Sequence, residues 1–418
     1  MFHNGDQIMK NKKWYRLDNS GKIFPPIMNS YDTCVFRISC TLKEEIDKKI
    51  LQEALDKTLV DFPVFSSILR KGFFWYYIEE VESSKKVQEE HKAPCDNIYG
   101  VLYRVTYYKK RINLEVCHAL TDANGATIFL RVLVANYLKI KYGVESEEEI
   151  DTASAYEKAE DAFKKYYKSF KKHKTGGFFK GYKIKGHEYD DYRLKFIEGR
   201  LSTSRLLSVV KENNCTVTQF LVSLLIKSII MQMTEREKRK TIYITVPISL
   251  RKEFPTNTTR NFFVTMSIAY KSNDNDDIKD IIKAVIPQFE ENLKKDNLYS
   301  KMSEMIFLEN IFICRIVPRI IKNFVLKTSY NLTRRRHTMT LSNIGRVTMP
   351  KEYEDFIDSF SVISCTDGMQ LNCLSYNDIF TFSFSSHFLK SEIQKNFVRE
   401  LVGYGMDIVV DTNELEED

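Results

Sequence analysis

No CxxC pair occurs among the eight cysteines, and none of their spacings is that of a paired set of metal ligands. Neither a zinc site nor a disulfide framework is signalled, and reduced thiols in a cytosol are the expected state. No run reaches the roughly 18 apolar residues of a membrane span. The longest candidate, residues 220–233, carries Ser223, Lys227 and Gln232 and reads as a buried helix. The opening MFHNGDQIMKNKK lacks the apolar core of a signal peptide, so a cytoplasmic location is expected. Also missing are a GxSxG nucleophile elbow, a GxxxxGK phosphate loop, a GxGxxG turn after a strand and an HExxH helix. A serine hydrolase, nucleotide enzyme or metallopeptidase would have to be built without its recognisable parts.

What is present is material for folded cores. Of 418 residues, 43% are hydrophobic and 13% aromatic, which argues against disorder, and the length suggests two domains. Lys and Arg exceed Asp and Glu by seven, a balance that permits an anionic partner such as a phosphorylated cosubstrate.

One stretch organises the rest: RINLEVCHALTDANG, residues 111–125. Ile112, Leu114 and Val116 alternate with polar residues as in a strand with one buried face. From Ala126 to Ile140 apolar residues recur at helical spacing, and Gly143 ends the run. His118 therefore emerges at a strand end, with Asp122 four residues on at a helix start. An imidazole so placed can act as a positioned base; by spacing alone, the same residues also fit a structural histidine and a helix N-cap.

Taking the chain in order, residues 14–26 read as an irregular arm, 33–39 as a strand, 42–59 as a helix stopped by Pro63, and 101–108 with 112–117 as a hairpin. Residues 153–172 look helical. Residues 171–195 form a basic, aromatic-laced run with four glycines and mark the domain boundary. A single-stranded nucleic acid could use such a run, but a solvated linker has the same composition, and no nucleic-acid partner is expected. A helix pair follows, with a turn at 213–216, then the strand TIYITVPISLR, the segment RNFFVTMSIAY, and a helix over 274–293. Residues 305–330 are apolar with Arg315, Arg319, Lys322 and Lys327 interspersed; a packed helix with a solvated basic edge is favoured over one lying on a membrane. Phe380, Phe382 and Phe384 alternate, so the last long strand should bury one face. A closing helix starts at 391, and the acidic ELEED tail should be loose.

The stretch His118, Ala119, Leu120, Thr121, Asp122 resembles the HxxxD motif of the coenzyme A-dependent acyltransferase superfamily, which includes chloramphenicol acetyltransferase, peptide-synthetase condensation domains and alcohol O-acetyltransferases. Ala123 replaces the usual Gly, with Gly125 two residues on, and Cys117 replaces the second His of condensation domains. Pro247 with Arg251 in VPISLR and the segment TLSNIGRVTMP, residues 340–350, resemble segments of bacterial alcohol acetyltransferase relatives. The resemblance implies an α/β fold of two chloramphenicol acetyltransferase-like layered domains (1–175 and 200–418, with 176–199 as linker) forming a V around an interdomain tunnel. It implies transfer of an acyl group, acetyl in the simplest case, from a coenzyme A thioester to an alcohol or amine, with His118 as general base and no acyl-enzyme. Asp122 would be structural, paired with Arg251, and Gly125 would belong to the binding loop; for the oxyanion donor Asn343 or Ser342 is the candidate, although an Asn-Gly-type turn explains the same residues without chemistry. Acyl-CoA is then a cosubstrate, with no tightly bound cofactor or metal, and a monomer is expected. A carrier-protein-dependent condensation-like enzyme and a non-catalytic binding protein on the same fold are the alternatives.

Overall fold

The strand that carries the histidine, Arg111–Cys117, lies in the middle of a five-stranded sheet in the computed structural model. The described residues are 13–29, 31–81, 86–90, 94–95, 98, 100–172, 181–189, 193–273, 276–334, 336–365 and 368–413. The opening dodecapeptide, part of the glycine-bearing run and the ELEED tail lie outside them. The sheet runs Ile357–Ser364, Val35–Leu42, Arg111–Cys117, Tyr103–Tyr108, Gln88–Glu89. Its long pairings are antiparallel, and Tyr103–Tyr108 with Arg111–Cys117 is the hairpin expected from the sequence. The helices Lys48–Asp61 and Ala123–Tyr142 pack together, and the latter lies on the sheet, burying Phe129, Leu130, Leu133, Val134 and Tyr137. Gly143, at φ 68°, takes the left-handed conformation that ends the second helix.

A seven-stranded sheet forms the second layer, in the order Phe263–Lys271, Thr241–Ser249, Met339–Val347, Met369–Tyr376, Ile379–Ser386, Lys195–Ser202, Val409–Thr412. The helix Val217–Ile230 is buried along most of its length, with Lys227 paired to Glu400. It packs against Ile278–Leu293 and Glu392–Gly403. Three short strands, Trp14–Arg16, Tyr76–Glu80 and Ser67–Lys71, make a separate small sheet.

The two large sheets do not follow the chain's halves. Ile357–Ser364, from the second half, pairs along Val35–Leu42 and completes the first sheet, while Val347, Met349, Leu374 and Tyr376 join the first core.

Several sequence expectations change in the structure, each for a local reason. The helix expected from residue 42 begins at Lys48, because the Asp47 carboxylate caps it by accepting from the Lys49 and Ile50 amides. The 153–172 helix is two short ones, Ala155–Ala159 and Ala162–Tyr166, broken where Glu160 and Asp161 adopt extended backbone. The described part of the 176–199 linker is not loose: Gly181 bridges to Thr241, Glu188 bridges to Phe388, and Tyr182 is buried in the second core. The last long strand buries both faces. Phe382 and Phe384 meet Phe397, and its small polar residues Thr381, Ser383 and Ser385 are buried as well, in a strand that also packs against Ile357–Ser364. Residues 305–330 fall in three helical pieces, Lys295–Asn310, Phe312–Ile316 and Arg319–Arg334, whose exposed side is largely apolar, with Arg315 and Lys327 on it, while Lys322 is buried.

Candidate active site

His118 leaves the end of its strand with its backbone N–H donated to the Cys34 carbonyl, 2.9 Å away. The ring is half-buried between aromatic faces. Phe24 stacks on it with centroids 4.6 Å apart and planes 7° from parallel, and Phe36 and Phe263 close in at 4.8 and 5.8 Å. Phe263 belongs to the second half, so the imidazole sits where the two halves meet.

The hydrogen bonds fix which ring nitrogen carries the proton. Asn261 Nδ2 donates to the Asp18 carboxylate at 3.2 Å and to the His118 carbonyl at 3.0 Å. With its amide nitrogen so engaged, Asn261 turns its Oδ1 toward His118 Nδ1, 3.3 Å away. An amide oxygen only accepts, so Nδ1 carries hydrogen and Nε2 keeps a lone pair. Burial holds the imidazole below its ordinary value of 6.5, against the upward pulls of the Asp122 charge and the Asn261 bond. The ring is neutral at pH 7, with a basic nitrogen available.

Asp122 faces away from this chemistry. It caps the Ala123–Tyr142 helix, accepting from the Gly125 amide at 3.0 Å. Arg251 forks onto it from the second half, Nη1 at 2.7 Å and Nη2 at 3.1 Å, and the Phe262 amide adds a third tie at 2.9 Å. Arg251 also donates to the Thr258 and Arg260 carbonyls. Gly125 makes the closeness possible: a Cβ there would meet the Thr259 carbonyl oxygen at 2.0 Å. The loop 258–261 is thus drawn onto the helix start, and Asn261 is delivered beside His118.

The other two sequence candidates are not among the hydrogen-bond partners of the ring. Ser342 and Asn343 lie on Met339–Val347, where Asn343 Nδ2 donates to Thr218 at 3.0 Å and its Oδ1 accepts from the Gly345 amide. Among the described residues the ring's side-chain partners are Asn261, Phe24, Phe36 and Phe263.

Sequence reading missed Asn261, Asp18 and Phe24. Asp18 is wholly buried, accepts from the Gly21 amide at 2.6 Å and stands 3.5 Å from buried Arg260; burial pushes its carboxyl up to about 6. An Asp three residues before a Gly, followed by Pro25 and Pro26, was the available sign of an ordered turn.

A cavity of about 720 Å³ opens between Ile23, the strand residues Thr245, Thr265 and Thr340, and the inner side of Arg319–Arg334 at Leu326 and Tyr330. His118 is not on its wall. Ile23 and Thr265 are, and Phe24, next to the first, and Phe263, two residues before the second, pack on the ring. Lys183, Lys185 and Arg334 give the cavity a basic rim, with Glu188 the acidic exception and His337 beside them. Burial and the Arg334 charge lower Lys183 to about 8, and burial with Lys183 and Arg336 lowers His337 to about 4. Among the described residues no group of three His, Cys, Asp or Glu side chains is placed to hold a metal ion.

The fold is the two-part α/β architecture of chloramphenicol acetyltransferase-like and condensation proteins. Three solved structures illustrate the likeness. Trichothecene 15-O-acetyltransferase of Fusarium sporotrichioides superposes with a TM-score of 0.62 at 9% identity, over 94% of this chain and 95% of that one. The F. sporotrichioides protein TRI101, complexed with coenzyme A and T-2, matches at 0.62 and 10% identity, over 94% and 99%. Polyketide synthase associated protein 5 from Mycobacterium tuberculosis matches at 0.61 and 14%, over 93% and 96%. Condensation domains of peptide synthetases are also among the neighbours. No protein-family model and no curated sequence matches the chain.

Proposed function

We propose that the protein is an acyltransferase that moves an acyl group, acetyl in the simplest case, from a coenzyme A thioester to an alcohol or amine. The observation that carries this reading is the state of His118: neutral, with Nδ1–H tied to Asn261 and the lone pair left on Nε2, at the seam between the halves. An alcohol is too weak an acid to ionise at neutral pH, so Nε2 takes its proton as the oxygen attacks the thioester carbonyl. The new C–O bond forms, the tetrahedral intermediate collapses, the C–S bond breaks, and the imidazolium returns its proton to the departing thiolate. No acyl-enzyme is required.

Asp122 and Arg251 hold the loop that sets this geometry. Ser342 and Asn343 are kept as the proposed oxyanion donors; Asn343 Nδ2 has one hydrogen beyond its bond to Thr218. The basic rim of the cavity lined by Ile23 and Thr265 suits a phosphorylated donor, and a neighbour of the same fold is complexed with coenzyme A. The condensation-domain likeness keeps a carrier-bound thioester as the alternative donor.

The test is thiol release by the purified protein from acetyl-CoA and longer acyl-CoAs, across a panel of alcohols and amines. Acceptor-dependent release supports the reading. Release only from a carrier-bound thioester selects the alternative donor, and release from neither removes the enzyme reading.

A further inference from the structure

The segment from Leu308 to Leu332 is built inside out. In an ordinary surface helix the apolar stripe faces the core. Here Ile320 and Phe324 are 75% and 73% exposed, and Ile321, Val325 and Leu332 are exposed beside them. Phe312, at 72%, and Ile316 carry the apolar surface back across Pro318. Phe73, also 72% exposed, joins it, because its carbonyl accepts the Arg319 amide at 2.9 Å.

The helix cannot roll over to hide these groups. Its inner side is polar and engaged: Arg319 Nε donates to the Gly72 carbonyl at 2.9 Å, Lys322 Nζ to the Phe74 carbonyl at 3.0 Å, Asn323 Nδ2 to the Tyr76 hydroxyl at 3.0 Å, and the Tyr330 hydroxyl to Asp32 at 3.3 Å. The Lys322 ammonium also lies 3.8 Å over the Trp75 ring. Rotation would strip all of these contacts and bury charge. A contiguous apolar face fixed outward in this way marks a contact surface.

Charge selects the occupant. No Asp or Glu occurs between Glu309 and Glu352, and Arg315, Lys327 and Arg334 are exposed along the segment. A second copy docked about a two-fold axis would set these cations against themselves. An acidic bilayer surface would instead neutralise them while its acyl region took the phenylalanines and isoleucines. No helix among the described residues is long and apolar enough to cross a membrane, so the contact is one of lying on the surface.

We infer that residues 308–334, with Phe73, form a docking face for an anionic phospholipid bilayer. The full-length protein is to be sedimented with vesicles of phosphatidylcholine alone and of phosphatidylcholine mixed with phosphatidylglycerol. Binding to the mixed vesicles is expected, weakening as salt shortens the screening length. The double variant Ile320→Ser, Phe324→Ser should bind about tenfold more weakly or worse, and Lys327→Glu should lose the preference for the anionic lipid. Both variants alter exposed side chains, so an unchanged melting temperature shows that weaker binding is not unfolding. Absence of wild-type binding, or equal binding by the double variant, overturns the inference. So does a wild-type dimer in light scattering that the double variant dissociates. Vesicle binding is read without acyl transfer, so its failure leaves the proposed activity standing, and the converse holds.

Discussion

The His118 junction and the Arg319–Arg334 helix share a neighbour, the arm that precedes the first long strand, and treat polarity in opposite ways. At the junction, Asp18, Asp122, Arg260 and Asn261 are buried, and charge and amide groups from the second half are fitted to the first. Along the helix, polar groups again hold the element to the arm and its surroundings, but hydrocarbon is left outside without cover. The helix Phe24–Ile27 lies between the two, packing on Arg319–Arg334 while Phe24 stacks on the imidazole. Buried polarity costs free energy unless it is paired, and exposed hydrocarbon costs free energy unless something covers it. The first region finds most of its partners within the chain, Arg260 meeting Asp18 only at 3.5 Å. The second is complete only with something external.

That contrast can be broken most forcefully at the base. His118→Ala should lower the rate of acyl transfer by roughly 10²-fold to 10⁴-fold without unfolding the protein, as thiol release and a melting curve would show together; an unaltered rate would take His118 out of the reaction.

The next largest effect concerns the tie between the halves. Asp122→Asn leaves Arg251 facing a neutral group and should cost about 3 kcal/mol of stability, with activity falling alongside. Arg251→Ala should resemble it. In denaturant titrations the double variant should be less destabilised than the sum of the two, because both remove one contact. A fully stable but inactive Asp122→Asn protein would assign this carboxylate to the chemistry instead.

Asp18 sharpens the comparison through pH. Its folded value of about 6 lies above the ordinary 3.8, so the folded chain holds this proton more tightly than the unfolded chain does. Its contribution is fully present below pH 3.8 and is lost as pH rises through about 6, a change of about 3 kcal/mol at most. Asp18→Asn should flatten that part of the stability profile, measured as melting temperature against pH; an unchanged slope would show that Arg260 keeps the carboxylate ionised.

Asn261→Ala should have the smallest effect, about tenfold in kcat, since the base remains and only its tautomer and orientation are released. The acid limb of kcat/KM should lie below 6.5 in the wild type, because burial lowers the imidazole, and should shift in the variant as its partner is lost. A lower rate with an identical pH profile would mean that Asn261 only supports the fold.

Much of the architecture was legible because it is written in short-range pattern. The alternation of Ile112, Leu114 and Val116 and the spacing of Phe129, Leu130 and Leu133 specify a strand and a helix whatever surrounds them. The contact of Asp122 with Arg251, 129 positions apart, is beyond any such pattern, and only the resemblance of the two segments pointed to it. Asn261 and Phe24 were missed for the same reason, since each reaches the imidazole through the path of a loop or arm with no period of its own, and of Asp18, which reaches it through Asn261, the sequence showed only the turn. The orientation of Arg319–Arg334 was misread because its sequence is amphipathic either way round. Which side faces inward is decided by acceptors on the 72–76 turn and on Asp32, and the helix's own residues do not encode those.

The strand Ile357–Ser364 has a consequence for how the molecule comes into being. Until Ile357–Ser364 has left the ribosome, Val35–Leu42 waits with one edge unpaired, so the histidine-bearing sheet is finished by a segment synthesised long after the strand it completes. A nascent chain stalled before residue 357 would carry every residue of the His118 junction yet offer an open strand to its neighbours. Assembly of the whole, rather than of successive parts, is the condition for safe release.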